Sequence, residues 1–143
     1  MAIAADHRLQ DLSVGREASS SLVVDAAQME AFARLSGDEN PLHCDNAFAL
    51  SRGFSGRAVY GGLIIAAISR LLGMDLPGRN GVWTGLTINF ANPLYLGETA
   101  IVQARVDYRS EATSAIEVAI RVETADRVIA LGKVMAVVRS GGR

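Results

Sequence analysis

The spacing of apolar residues changes half-way along the chain, from helical to alternating. Residues 1–18 are polar and show no period, which predicts a loose N-terminal extension. Residues 19–24 suit an edge strand. Asp25 is a good N-cap with Gln28 three residues on, the capping-box arrangement, and Met29, Phe32 and Leu35 then recur at helical spacing until Ser36-Gly37. Asp45 can cap a second short helix whose apolar face includes Phe48 and which ends at Gly53. Residues 59–72 are apolar nearly all round, from Leu63 through Ile68 to Leu72, and a helix without a polar face is a buried one. It opens on Gly61-Gly62 and closes at Gly73, and the turn chemistry of Leu76-Pro77-Gly78-Arg79-Asn80-Gly81 follows.

Beyond that turn the period falls to two. Residues 82–90 form a strand candidate ended by Asn92-Pro93. In 99–110, Val102, Ala104, Val106 and Tyr108 alternate with Gln103, Arg105, Asp107 and Arg109. In 115–124, Ile116, Val118, Ile120 and Val122 alternate with polar neighbours. Residues 128–139 are apolar at nearly every position, the pattern of a central strand covered on both faces. Helices first and antiparallel strands at hairpin spacing afterwards predict an α+β domain, a curved antiparallel sheet wrapped around one buried helix. No repeat or linker divides it, so 19–143 reads as a single domain behind the extension.

Composition narrows the class. At 143 residues the chain is one domain, and half of its residues are hydrophobic, which argues against disorder. A net charge of −1 without a run of like charges offers nothing to nucleic acid or an anionic membrane. The most apolar stretch is too short to span a bilayer and carries Arg70. The first ten residues lack the pattern of a secretory signal, and Cys44 is the only cysteine, so a cytoplasmic protein without a disulfide is expected.

The candidate chemistry sits in Ser36-Gly37-Asp38-Glu39-Asn40-Pro41-Leu42-His43. Pro41 lacks an N–H and biases Asn40 away from the α region, so the backbone must turn between Asp38 and His43. Such a turn can aim a carboxylate and an imidazole at one point, the geometry of an acid–base pair around a water. The bland alternative is a capping aspartate and a hydrogen-bonded loop histidine. Cys44 invites a Cys/His nucleophile, but adjacent residues point apart and free cysteine is most often a small buried hydrophobe. One histidine outside the N-terminal stretch, with no second ligand at metal spacing, leaves no metal site. Gly61-Gly62 serves either close helix packing or close approach of its N–H groups to a ligand. Tyr60 is a pocket wall or core, and Trp83 core or interface.

Ser-Gly-Asp-x-Asn-Pro-Leu-His followed by a glycine-led apolar helix resembles the MaoC-like family of hotdog-fold hydratases, in particular its small bacterial (R)-specific enoyl-CoA hydratases. The likeness runs over 29–99 and includes Val59-Tyr60-Gly61, Ser69, Leu72-Gly73, Leu76-Pro77-Gly78 and Pro93. It implies a five-stranded hotdog sheet, a homodimer with its site at the dimer interface, and a dyad, Asp38 and His43, acting on an acyl thioester. By position it implies that the Gly61 N–H polarises the thioester carbonyl, that Ser69 bonds near the aspartate, and that Asn40 supports the turn. Two departures bear on the pocket: Tyr60-Gly61-Gly62 stands where many members have His-Gly-Met, and Gly85-Leu86-Thr87 where they often have Gly-Gln-Ser. Tyr60, Gly62 and Leu86 are therefore pocket candidates. Arg52, Arg57 and Arg79 suit either the phosphates of a carrier or solvent.

The implied activity is reversible hydration of 2-enoyl thioesters to (3R)-hydroxyacyl thioesters, with no cofactor beyond the CoA or phosphopantetheine that the substrate carries. The alternatives are a dehydratase of carrier-protein-bound intermediates and a non-catalytic hotdog subunit that binds acyl thioesters beside a partner. A thioesterase fits the motif less well.

Overall fold

The computed structural model describes residues 1–141. The last two positions of the expected domain, Gly142 and Arg143, lie outside the described residues. In chain order the elements are β1 (Glu17–Leu22), α1 (Ala26–Ser36), α2 (Pro41–Cys44), α3 (Asn46–Ser51), α4 (Gly61–Met74), β2 (Gly81–Phe90), β3 (Ala100–Ser110), β4 (Ala115–Glu123) and β5 (Val128–Val138). The five strands make one antiparallel sheet in the order β1-β3-β4-β5-β2. β1 and β2 are thus its two edges.

Alternation decides which face is apolar. Val102, Ala104 and Val106 of β3 and Ile116, Val118, Ile120 and Val122 of β4 all point to one side and are buried. Ile64, Ile68, Leu71 and Leu72 of α4 pack into that layer and form one cluster with it. Each such side chain contributes about 1.5–3 kcal/mol by leaving water. The caps fall where the sequence puts them. Asp25 accepts from the Gln28 N–H at 2.8 Å while Gln28 accepts from the Asp25 N–H, and Gly37 ends α1 with φ of 75°.

Several expectations are corrected. Of residues 1–18, expected to be loose, those from Ala5 onward are docked. Leu9–Asp11 form a 3-10 turn, Leu12 is buried in the core, and Asp6 bridges Gly78. The Ala5 N–H bonds Met74 O at 2.7 Å, and Asn80 Nδ2 donates to Asp6 Oδ1 and His7 O. Leu12, with Leu9 beside it, and hydrogen bonds to Met74 and Asn80 hold this strap, and none of these leaves a period in the sequence. β1 also starts earlier than expected, at Glu17. Leu12→Ala is accordingly expected to cost about 2–5 kcal/mol, the range for an emptied core leucine, read as a lower urea midpoint at unchanged m-value.

Tyr108 is 53% exposed although its parity with Val106 predicts the inner face. A bulge between the two residues shifts the register, so Tyr108 pairs with Glu117 on the outer face. Leu35 is 85% exposed, because α1 meets the core through Met29 and Phe32 and runs past it. β5 is central in its hydrogen bonding but covered on one side only, and Leu131 and Met135 face outward. α4 is likewise buried on its sheet side alone, with Ala66, Ser69 and Arg70 exposed, and it continues through Gly73. Among the described residues no helix is long and apolar enough to cross a membrane.

Candidate active site

The segment between α1 and α4 is shaped by short polar side chains bonding their own backbone. Ser36 Oγ donates to Phe32 O at 2.7 Å and accepts from the Asp38 N–H at 3.1 Å. Asp38 Oδ1 accepts from the Asn40 N–H at 3.0 Å, and Asn40 Oδ1 from the Leu42 N–H at 3.0 Å. These are Asx turns in series. Asn40 becomes the N-cap of α2, and Pro41 occupies its first position, where the missing N–H costs nothing. Asp38 stays exposed on the turn, and His43 rides in the single turn of helix that follows.

His43 is fixed at three points. Its Nδ1 lies 2.7 Å from Ala58 O, its own carbonyl accepts from Arg57 Nε at 2.7 Å, and its ring stacks on Tyr60 with centroids 4.1 Å apart. A carbonyl can only accept, so Nδ1 carries the proton of the neutral imidazole and Nε2 keeps the lone pair. Tyr60 is buried, and its hydroxyl donates to Asp38 O at 2.6 Å. Cys44 Sγ lies 3.4 Å from the same hydroxyl, and the Phe32 ring packs against the phenol at 4.6 Å. Burial first, and then the neighbouring Cys44, pushes the Tyr60 hydroxyl up to about 12, so it remains a donor across the physiological range.

Tyr60 is also the N-cap of α4 and makes no side-chain cap bond. Gly61 and Gly62, the first residues of the helix, therefore hold N–H groups with no acceptor inside it, at the positive end of the helix dipole. A groove of about 280 Å³ opens beside them, lined by Phe54, Val59, Gly61, Ile64, Phe90 and Leu94 among others. The segment from Asp38 to Gly62 thus carries a carboxylate on a turn, an imidazole whose ring stacks on the residue capping α4, and helix-end amides beside a largely apolar groove.

Comparison with known proteins identifies the family. The MaoC-like domain model matches residues 11–128. The chain belongs to the MaoC-like family. The chain is 39% identical over 97 residues to an (R)-specific enoyl-CoA hydratase of Aeromonas caviae, covering 68% of this chain and 72% of that relative. It is 33% identical over 98 residues to a 3-hydroxybutyryl-CoA dehydratase of Methylorubrum extorquens, covering 68% of this chain and 61% of that one. The solved structure of an (R)-hydratase from A. caviae superposes with a TM-score of 0.86 at 32% identity, over 90% of this chain and 98% of the other. The MaoC-like chain thus has the hotdog fold.

The other expected site residues are spread over α4, β2 and the loops of the MaoC-like chain. Ser69 is exposed in the third turn of α4, eight residues and about 12 Å along the axis from Gly61. Asp38 makes its hydrogen bonds to the Asn40 N–H, the Ser36 hydroxyl and the Tyr60 hydroxyl, through its side chain, its N–H and its carbonyl respectively. Gly62 is a packing position: a Cβ there would lie 2.4 Å from Phe32 Cζ. Leu86 does face the helix side of β2, paired with the buried Val134, and is 37% exposed. Arg57 is engaged with His43, Arg52 lies over the Phe48 ring at 4.7 Å, and Arg79 is exposed. Trp83 packs against the core. No spacing signal tied Tyr60, Arg57 or the Ala58 carbonyl to the dyad, since these contacts are made by the fold alone.

Proposed function

We propose that this MaoC-like chain is a hydro-lyase that reversibly adds water to 2-enoyl thioesters to give (3R)-hydroxyacyl thioesters. The observation that supports it most is the His43 Nδ1 contact with Ala58 O at 2.7 Å, which leaves Nε2 as the proton acceptor on a ring stacked against Tyr60, the cap of α4. Water held between Asp38 and His43 gives a proton to Nε2 as its oxygen bonds C3. The π pair of the C2=C3 bond moves toward the thioester carbonyl, and the developing oxyanion accepts from the Gly61 N–H. The proton then passes to C2 on the same face, which completes the addition and restores the dyad. The R configuration rests on the names of the relatives. The step uses water and the thioester only, and the CoA or phosphopantetheine arrives with the substrate.

A homodimer belongs to the same reading. β2 is an edge strand with Val82 and Phe90 about half exposed, and the side of α4 away from the sheet carries the exposed Ala66. The test is loss of the enoyl-thioester absorbance across a chain-length series on CoA and on carrier protein, with chiral analysis of the product. Turnover is expected on at least one carrier, and which one separates the CoA hydratase from the carrier-protein dehydratase. Free thiol release would instead mark a thioesterase. Activity that appears only with a second hotdog chain would make this one a binding subunit.

A further inference from the structure

We propose that Tyr60 is the positioning residue that sets the placement of Asp38 relative to His43. The proposal builds on the hydratase reading and adds a residue to it. Asp38 and His43 sit on different pieces of backbone, a turn and a one-turn helix, with Asn40-Pro41 between them. Ser36 Oγ and the Asn40 N–H hold Asp38 only to its own neighbours in sequence. Tyr60 is the group from the far side of the loop that reaches both. Its hydroxyl takes the Asp38 carbonyl at 2.6 Å, and its ring faces the imidazole at 4.1 Å with 28° between the planes.

The ring itself has little freedom. It is buried, it packs on Phe32, and Phe32 in turn is seated on Gly62, where a Cβ would overlap it. Tyr60 is the cap of α4, so the same residue also fixes the dyad against the Gly61 amide. A shift of ~1 Å between reacting groups can cost on the order of 10²-fold in rate. A group that ties the acid, the imidazole and the helix end together therefore acts through them on turnover more than on substrate affinity.

Two variants separate the two contacts. Tyr60→Phe keeps the ring and loses the bond to Asp38. Its kcat is expected to fall about tenfold, the scale of one hydrogen bond, with KM within about twofold and the wild-type pH profile of kcat retained. Tyr60→Leu loses the stack as well, and its kcat is expected to fall about a hundredfold. The chain has two histidines, so the His43 ring protons can be followed by NMR whether or not the protein turns over. The ring-current shift from Tyr60 is expected to persist in Tyr60→Phe and vanish in Tyr60→Leu. Unchanged kcat in Tyr60→Phe would overturn the proposal, as would a fall in kcat matched by an equal rise in KM and a lower Tm, the signature of general loosening. If Tyr60→Leu does not fold, Tyr60→Phe alone decides. A wild type that hydrates no enoyl thioester but shows the ring-current shift would remove the hydratase reading and leave the contact with His43 standing.

Discussion

Replacing His43 by Asn is expected to lower kcat by roughly 10²–10⁴, the scale of lost general acid–base catalysis, with little change in Tm. The substitution is chosen for what it keeps. The Asn amide N–H₂ can occupy the place of Nδ1 and donate to Ala58 O, so the carbonyl stays satisfied. What disappears is Nε2, the only atom of the ring with a lone pair to offer. Asp38→Asn works in the same way from the other side. Its amide oxygen can still accept from the Asn40 N–H, so the turn survives, while the negative charge that would hold and polarise the water is gone. A similar loss in kcat is expected. Both are checked by steady-state hydration rates alongside thermal melts. Wild-type turnover in either variant would remove that residue from the pair.

The second large effect is expected at Gly61, and here proline is the informative replacement. Position N1 of a helix is the place where proline fits best, since that N–H has no intrahelical acceptor. Tyr60 already has φ of −55° and ψ of 132°, a conformation that a residue before proline adopts without strain. Gly61→Pro should therefore fold and keep α4 while deleting one amide hydrogen. If that hydrogen meets the oxyanion, kcat falls by about 10²–10³-fold. Gly61→Ala is the control for bulk: its Cβ would lie 3.0 Å from Phe90 Cζ, and Phe90 is 48% exposed and free to yield. Alanine is expected to lose no more than a few-fold. Equal losses in the two variants would assign the effect to crowding by Phe90 and remove the amide from the reaction.

Legibility in the sequence followed the range of the interaction. The Asp25–Gln28 capping box, the Gly37 stop and the alternation in β3 and β4 are local, and each was readable from neighbours a few residues apart. The turn between Asp38 and His43 was readable for the same reason, through Asn40 and Pro41. What escaped depends on contacts across the fold. The bulge that turns Tyr108 outward is a property of two strands together. The strap is held by Leu12, a backbone bond to Met74 and the side-chain amide of Asn80, which carry no period. α2 is a single turn, too short to show one. Apolar residues on α4 and β5 announced burial, but the sheet has one covered face in this chain, so Leu131 and Met135 remain outside. Ser69 matched by motif, and its exposure on α4 is set by which side of the helix meets the sheet. Tyr60 was a position of doubtful role until the loop closed over it.

The order of the strands has a consequence for assembly. β3, β4 and β5 follow one another through short connections and can zip as consecutive hairpins. β1 and β2 cannot, because each must find its neighbour from far along the chain, as Ser20 does with Val102. Everything from α1 to α4 is strung between those two outer strands. Closing so long a loop carries an entropy cost that is met only once both flanks are in register. The segment that carries Asp38 and His43 is thus anchored at both ends by pairings between residues far apart in the chain.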